Sequence, residues 1–257
     1  MLVSVIMPTY NCGRFIEESV LSVIAQTVTD WEICIADDCS TDNTLEVLKP
    51  YLEKYPNIHY YCLEKNGGPA AARNAAIERA KGKYLAFLDS DDLWTPDKLE
   101  RQIALMEKHN AVFSCSAFRQ MDEDGTLQDI VRVPPAKTDY NTMLRLSNPI
   151  GNSTVMYDRE LLGHIRVPDI KKRNDFALWL KILRVAPICV GTDEILGIYR
   201  VRKSSVSSNK RVLAKYHWKL YREIEQLSPI RSLWAMFCWA GKVVTHRGIK
   251  KIPPETK

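Results

Sequence analysis

The sequence predicts an α/β fold: a Rossmann-like, mostly parallel sheet with helices on both faces, followed by a C-terminal helical extension. Over the first hundred residues, four short apolar runs alternate with stretches of helical spacing, which is the pattern of consecutive β-α units. The chain has 257 residues, of which 46% are hydrophobic and 26% charged. This composition is typical of globular proteins and excludes disordered, collagen-like and multi-span membrane classes.

The first half of the chain supplies the four β-α units. We expect strands at 2–7, 31–36, 58–63 and 84–88, and helices at 14–27, from about 41 onward, at 70–81 and at 95–109. Residues that favour helix ends stand near these boundaries: Ser40 or Asp42 as the cap of the second helix, Gly82 as the end of the third, and Thr95 with Pro96 at the start of the fourth.

After residue 110 the pattern is less regular. Strands are expected at 111–118 and 195–201, a turn at 122–125, and helices at 139–147, 175–185, 211–226 and 230–247. Residues 200–257 hold 14 Lys and Arg against three Asp and Glu, a net charge of +11, whereas residues 1–199 carry −6. An acidic body with a basic tail favours an anionic partner for the tail.

Cysteine usage predicts a reducing compartment. The seven cysteines include no CxxC pair, and several lie in apolar runs, which is typical of buried thiols and not of disulfide or zinc sites. The N-terminal segment has no basic region, so a signal peptide is not expected. The longest apolar run, Leu233–Ala240, is too short to cross a bilayer. We expect a cytoplasmic protein, or one bound peripherally at the cytoplasmic face of the membrane.

Four polar segments follow the four expected strands, at 8–11, 37–40, 64–67 and 89–92. Because the carboxyl ends of parallel strands meet at one rim of a sheet, where open α/β folds bind ligands, the segments should line one site. The last segment holds Asp89, Asp91 and Asp92. Carboxylates this close repel one another unless a cation such as Mg²⁺ or Mn²⁺ bridges them. The alternative is an acidic turn that caps the next helix.

Other candidates have two interpretations each. The aspartates at 37–38 could cap the next helix or bind a nucleobase edge or ribose. The Gly-Gly-Pro run at 67–69, with Arg73, could hold a phosphate or base through backbone N–H groups and a cation. Asp175 begins an amphipathic helix, where a capping carboxylate is common, and its spacing alone does not identify a catalytic base.

Five motifs together resemble the family 2 glycosyltransferases, which have the GT-A fold: SVIMPTYN at 4–11, DDCSTD at 37–42, NGGPAAARN at 66–74, FLDSDD at 87–92 and NDFALWLKIL at 174–183. The resemblance covers residues 2–207 with the motifs in the expected order. It implies a catalytic domain at 1–207, with a nucleotide-binding half (1–109) and an acceptor-binding half (110–207), and a basic helical extension at 208–257.

The resemblance also implies site residues. Pro8, Tyr10, Asp38, Arg73 and Asp89 correspond to the nucleotide site, with the tyrosine beside the base and Asp38 at the base edge.

In the same way, Asp91 corresponds to the principal ligand of Mn²⁺ or Mg²⁺, with Asp92 as a second ligand. Asp175 corresponds to the general base, which usually follows Glu in this family and here follows Asn174.

The segment YRVRKSSVS at 199–207 is similar to the family's flexible loop. The resemblance places Arg200, Arg202 and Lys203 at the diphosphate. Arg202 stands where the family usually has His, and an arginine can neutralise a diphosphate but cannot ligate a metal.

As a whole, the resemblance implies an inverting, metal-dependent transfer of a hexose or N-acetylhexosamine from a nucleotide sugar, especially a UDP-sugar, to a saccharide acceptor. Many relatives extend glycans on polyprenyl diphosphate for surface polysaccharides, so a lipid-linked acceptor is expected. Residues 229–257 combine apolar and basic side chains and are expected to bind an anionic membrane surface, unless they pack on the body. No nucleic acid partner is expected.

Other functions stay open at this point. No GxGxxG or GxxxxGK[ST] motif occurs, which counts against dinucleotide and P-loop enzymes. A phosphatase of the haloacid dehalogenase type would use Asp89 as nucleophile, a sugar nucleotidyltransferase shares the broad fold, and a non-catalytic nucleotide-sugar-binding module is a third alternative. An acceptor pocket is expected within residues 110–200, with Trp179 and the loop at 148–153 as candidates.

Overall fold

A computed structural model of the chain describes residues 1–202, 210–245 and 249–251. Its strands are β1 (Val3–Thr9), β2 (Trp31–Asp37), β3 (Ile58–Cys62), β4 (Tyr84–Phe87), β5 (Leu93–Trp94), β6 (Phe113–Met121), β7 (Leu127–Arg132), β8 (Lys137–Thr138), β9 (Met156–Asp158), β10 (Cys189–Arg200) and β11 (Ile249–Lys251). Its helices are α1 (Ile16–Ile24), α2 (Thr44–Lys54), α3 (Pro69–Arg79), α4 (Lys98–Lys108), α5 (Tyr140–Leu146), α6 (Arg159–Leu162), α7 (Asn174–Ile182), α8 (Lys210–Lys219) and α9 (Pro229–Thr245).

The first four strands form the expected parallel sheet, in the order β4-β1-β2-β3. Every residue of β1 and β2 is buried, as in parallel strands covered on both faces. Along β1, Val5 and Met7 belong to one core cluster and Ile6 to the other. Helices α1, α2 and α4 cover the first face and α3 and α7 the second, which confirms the α/β class.

The second half of the sheet is mixed. Strand β9 lies antiparallel between β4 and β6, and β7 pairs antiparallel with β6 across a turn at Gly125 (φ +93°). The long strand β10 runs parallel to β6 and also pairs with β5 and β8. The short turn between β6 and β7 can join only antiparallel neighbours, whereas the longer connection that contains α5 to α7 lets β10 lie parallel to β6.

The C-terminal extension packs on the body. Helix α8 continues through a π-helical turn (Leu220–Ile224), and α9 contacts both α5 and α8. The rings of Trp239 and His217 lie 5.1 Å apart at the α8–α9 contact. The extension also contributes β11, which pairs with the edge of β7 and was not predicted by hydrophobic periodicity. Within the described ranges, no helix has the length and apolar character needed to cross a membrane.

Several expected helix ends are displaced. Helix α2 begins after Asn43, not at Ser40 or Asp42, although the Asp42 carboxylate accepts from the Thr44 N–H at 3.1 Å. Helix α4 begins after Asp97, two residues beyond Thr95.

Gly82 does not end α3, which stops at Arg79. The N–H of Gly82 donates to Ser4 Oγ at 2.7 Å. A Cβ at position 82 would come within 2.5 Å of the Ser4 nitrogen. Close backbone approach therefore explains this glycine.

Candidate functional site

A cleft of about 770 Å³ lies at the carboxyl ends of β1, β2 and β4, beside the first residues of α3 and α7. Residues from all four polar segments line it, among them Pro8, Tyr10, Asp38, Asn66 and 89–92. The structure therefore confirms that the strand ends gather these segments at one site.

Asp38 holds the glycine loop at one end of the cleft. Its carboxylate oxygens accept from the backbone N–H groups of Gly67 at 2.7 Å and Gly68 at 2.8 Å. Gly68 has φ +82°, a conformation that L-residues with a Cβ rarely adopt. The capping interpretation of residues 37–38 is wrong, because Asn43 precedes α2 and Asp37 instead accepts from Ser40 and Tyr60.

Pro8 and Tyr10 lie on the same side of the cleft as Asp38. Pro8 is a buried residue of β1, opposite Ala36 of β2. Tyr10 follows the strand and is 50% exposed, so its ring is available at the rim. A flat side chain in this position can stack on an aromatic base.

The three clustered aspartates have different partners. Asp89 Oδ1 accepts from Arg73 Nη2 at 2.6 Å and from Asn152 Nδ2 at 2.8 Å. Asp91 pairs with Arg202, with Oδ2 and Nη1 3.3 Å apart. Asp92 is fully buried and accepts from the Ser153 hydroxyl and the Arg200 N–H. Its two oxygens are therefore already used within the fold.

Burial and mutual repulsion act on the ionisation of these carboxyl groups. Burial, followed by the charge of Asp89, raises the pKa of Asp91, and Arg202 partly opposes this. Burial, followed by the charges of Asp91 and Asp89, raises the pKa of Asp92 well above its ordinary value. A nearby cation has the opposite effect, because it stabilises the ionised form of a buried carboxyl group.

The donor set near Asp89 and Asp91 fits a small divalent cation. Both side chains line the cleft with carboxylate oxygens, which Mg²⁺ and Mn²⁺ prefer. The Oδ1 atom of Asn152, which also lines the cleft, is buried without a hydrogen-bond partner among the residues that the structure describes. No group of three or more His, Cys, Asp or Glu side chains converges as a ready ligand set in those residues.

Arg73 connects the acidic turn to α7. Its Nη1 donates to the side-chain oxygen of Asn174, while its Nη2 contacts Asp89. The arginine is 7% exposed, so these contacts stabilise a buried charge. Asn174 is the first residue of α7 and Asp175 the second.

Asp175 lines the cleft at the amino end of α7 and accepts from Asn148 Nδ2 at 2.9 Å. The capping interpretation of Asp175 is wrong, because Arg173 occupies the cap position with φ +66° and no side-chain cap bond is present.

Sequence reasoning missed the basic turn at 171–173, whose three side chains also line the cleft. The consecutive Lys-Lys-Arg residues directly before the NDF motif are a signal that could have identified it.

The three basic residues expected at the diphosphate are not equivalent. Arg202 lines the cleft beside Asp91. Arg200 is 3% exposed and is absent from the lining, and its Nη2 lies 2.7 Å from Glu18 while its Nε donates to the Asp91 carbonyl. The structure thus uses Arg200 to hold β10 against the acidic turn. Lys203 lies outside the described residues.

Of the two acceptor-pocket candidates, only the loop is near the cleft. Asn148 and residues 150–154 line it. The prediction for Trp179 is wrong, because this side chain is fully buried in the core, 5.1 Å from Phe87 and 5.9 Å from Phe113 between ring centroids.

Comparison with known proteins shows that the chain is similar in sequence to glycosyltransferases. The family model described as "Glycosyl transferase family 2" matches residues 4–166. The chain is 44% identical over 246 residues to TuaG of Bacillus subtilis, a glycosyltransferase whose name assigns it to teichuronic acid biosynthesis, with 96% of this chain and 97% of that protein covered. It is 38% identical over 218 residues to WfgD of Escherichia coli, a UDP-Glc:α-D-GlcNAc-diphosphoundecaprenol β-1,3-glucosyltransferase, with 84% of each covered.

The crystal structure of Staphylococcus aureus TarS (residues 1–349) with UDP-GlcNAc is similar in fold. The TM-score is 0.71 at 24% sequence identity, over 92% of this chain and 70% of that one. This likeness supports the GT-A architecture.

Proposed function

Because the chain belongs to glycosyltransferase family 2, we propose that this glycosyltransferase moves a hexose or N-acetylhexosamine from a UDP-sugar to a polyprenyl-diphosphate-linked saccharide, with inversion. The observation that carries the proposal is the bridge made by Arg73, which fixes the donor-side Asp89 relative to the α7 end that bears Asp175. WfgD, which uses UDP-Glc and a lipid-linked GlcNAc, supports the donor and acceptor classes.

The uridine diphosphate is bound by the amino-terminal half of the domain, residues 1–109. Tyr10 and Pro8 flank the base, and Asp38, oriented by the two glycine N–H groups, accepts from the base edge. Asp89, held by Arg73 and Asn152, faces the ribose and the diphosphate.

Asp91, with Asp89, would hold Mn²⁺ or Mg²⁺. The cation supplies charge neutralisation for the departing diphosphate. Arg202 contributes a second positive charge from the chain itself, since it lines the cleft next to Asp91. We do not assign the metal to Asp92, because its side chain is buried and already stabilises the fold by accepting from Ser153 and the Arg200 N–H.

Asp175 acts as the general base. Asn148 binds one carboxylate oxygen at 2.9 Å and thereby orients the group toward the cleft. The carboxylate removes the proton of the acceptor hydroxyl as that oxygen attacks the anomeric carbon, so a single displacement inverts the configuration. We assign this half of the site to residues 110–207, and the assignment is supported by α7 and residues of the loop at 148–154, which line the cleft.

A membrane-bound acceptor requires the enzyme to approach a lipid surface. Four side chains at i, i+3, i+4 and i+7 spacing form an exposed apolar stripe on α9, namely Ile230, Leu233, Trp234 and Phe237, which are 80%, 61%, 49% and 78% exposed. Apolar stripes of this kind insert into the interfacial region of membranes. Helix α9 packs on the body through residues such as Ala235 and leaves this stripe exposed. We therefore propose that 229–257 both packs on the body and binds the cytoplasmic face of an anionic membrane.

Flotation with phosphatidylglycerol liposomes tests the membrane proposal. The double variant Ile230→Ser, Leu233→Ser should lose binding, while Val185→Ser, at an exposed apolar residue away from α9, should keep it. Equal flotation of both variants would contradict the proposal.

The experiment that tests the enzymatic proposal is incubation with UDP-Glc, UDP-GlcNAc, UDP-Gal and GDP-Man, with and without a GlcNAc-diphospho-lipid acceptor. We expect acceptor-dependent release of UDP. Release of inorganic phosphate would support a phosphatase. Pyrophosphate exchange would support a nucleotidyltransferase, and binding without turnover a non-catalytic module.

A further inference from the structure

A second cavity, which we call the side pocket, lies beside the catalytic cleft. It has a volume of about 660 Å³ and is bounded by β6, the end of β7, the segment after α5 and one face of α9. Its walls are mainly apolar and include Phe118, Leu146, Ile150, Trp234 and Phe237. A cavity of this size and character accommodates an apolar ligand of several isoprene units.

The side pocket and the catalytic cleft share part of their lining. Phe118, Asn148, Ile150 and Gly151 border both cavities. Because Asn148 also donates to Asp175, the side pocket begins next to the carboxylate that we propose as the base. A molecule whose hydroxyl group lies at Asp175 can therefore extend directly into the side pocket.

Two guanidinium groups give the side pocket a positive wall. Arg132 is half-buried, and burial lowers its pKa. Arg145 lies in the last turn of α5. Neither arginine lies within salt-bridge distance of a carboxylate in the described ranges. The residues that line the side pocket include no Asp or Glu. Unpaired arginines in an apolar cavity favour an anionic group, and their planar forks match phosphate oxygens.

We infer that the side pocket binds the diphosphate and the first isoprene units of the acceptor lipid. The inference rests on the proposed function, since it names where that acceptor lies. The sugar lies at Asp175, the diphosphate contacts Arg132 and Arg145, and the prenyl chain packs on Trp234 and Phe237. These two side chains remain substantially exposed, so the chain can continue from the pocket toward the bilayer.

Binding of farnesyl diphosphate, measured by calorimetry in detergent-free solution, tests the inference without sugar, donor or membrane. We expect Arg145→Gln, Arg132→Gln and Phe237→Ser each to weaken binding about tenfold, the size of one charge-assisted hydrogen bond or one buried aromatic contact.

Two matched controls should bind like the wild type. Arg231→Gln removes an exposed arginine of α9, and Leu161→Ser an exposed apolar side chain of α6, and neither residue lines the pocket. No binding to the wild-type protein, or equal loss in pocket and control variants, would overturn the inference.

A transfer assay separates failure of this inference from failure of the proposed function. It compares GlcNAc-diphosphate esters that carry a farnesyl or a methyl group. A lower KM for the farnesyl ester, raised selectively by Phe237→Ser, supports the pocket assignment. Transfer to both esters with equal KM overturns the pocket but keeps the function. Binding of farnesyl diphosphate with no transfer to either ester overturns the proposed acceptor and keeps the pocket.

Discussion

Arg73 donates a hydrogen bond to the side-chain oxygen of Asn174, which lies 101 positions further along the chain. The same guanidinium lies 2.6 Å from Asp89. One buried side chain thus fixes the spacing between Asp89, which we propose to lie at the donor, and the helix end that carries Asp175. With a neutral partner on one side and a single carboxylate on the other, the charge of Arg73 is balanced within the site.

Replacing Asn174 should impair transfer more than donor binding. Asn174→Leu removes the acceptor of a buried guanidinium, which costs about 1–3 kcal/mol, and releases the end of α7. We expect kcat to fall about tenfold or more, with the KM for the UDP-sugar nearly unchanged. Asn174→Asp, which retains an acceptor oxygen for Arg73, should recover most of the rate. An unchanged kcat in the leucine variant would contradict the positioning argument.

Asp175→Asn should abolish transfer and leave donor binding intact. A general base typically contributes about 10²- to 10⁴-fold, and the amide keeps the shape of the side chain without its basicity. Single-turnover transfer and calorimetric binding of the UDP-sugar provide the two measurements. Asp169→Asn, at an exposed aspartate outside the cleft, is the control. Wild-type turnover by the Asp175 variant would reject the assignment.

Asp91 and Asp92 should respond differently to substitution. Asp91→Asn should weaken Mn²⁺-dependent UDP binding at least about tenfold, because a neutral amide is a poorer ligand for a hard cation. Asp92→Ala should retain metal-dependent binding when folded but lose about 1–3 kcal/mol of stability, since the Arg200 N–H and the Ser153 hydroxyl lose their acceptor.

Calorimetry with and without EDTA, together with thermal unfolding, distinguishes these effects. If metal-dependent binding were lost only in the Asp92 variant, the metal ligand would have to be assigned to Asp92 and not to Asp91.

Asp38→Ala should weaken binding of the UDP-sugar donor. The two glycine N–H groups lose their acceptor, and the base edge loses its partner, so we expect the KM for the UDP-sugar to rise about tenfold or more. Glu64→Gln, a nearby exposed carboxylate that does not line the cleft, serves as the control. Equal KM values for the two variants would contradict a role of Asp38 in donor binding.

Lys98 offers a test that concerns stability alone. Its ammonium group is fully buried, lies 3.8 Å from the centroid of the Trp94 ring, and has no hydrogen-bond partner in the described residues. A cation–π contact contributes about 2 kcal/mol when desolvated, whereas burying an ion costs several kcal/mol. Burial therefore lowers the pKa of Lys98 well below its ordinary value.

The sign of the pH dependence follows from this shift. Below the ordinary lysine pKa, the unfolded chain binds the proton more tightly than the folded protein, so the free energy of unfolding rises with pH until that value is reached. Lys98→Met should remove this contribution and raise the thermal midpoint most at neutral pH. A constant difference between the variant and the wild type from pH 7 to 10 would contradict the argument.

The sequence predicted the parts of the fold that local patterns specify. Fully buried parallel strands such as β1 and β2 are continuous apolar runs, and the polar segments after them meet because parallel strands end at one rim. The extent of β10 was missed because its middle residues, 191–195, are half-buried or exposed and interrupt the apolar pattern. Strand β11 depends on pairing with β7, which no local signal describes.

Within the site, residue types were easier to predict than partners. The family resemblance implies a diphosphate ligand at Arg200, yet Glu18, 182 positions away, pairs with it in the structure. Trp179 is a candidate for the acceptor pocket on sequence alone, yet its position in α7 places it in the core. Such outcomes are set by long-range packing, which spacing along the chain does not encode.

Strand β11 of the C-terminal extension pairs with β7 and so forms an edge of the main sheet. Ile249 of β11 stands opposite Arg132 of β7, the residue whose side chain we place at the acceptor diphosphate. Removal of the tail would leave β7 as an unpaired edge, which is prone to association with other chains. Strand β11 is therefore built into the main sheet, so that a force applied to it would act on the strand that carries Arg132.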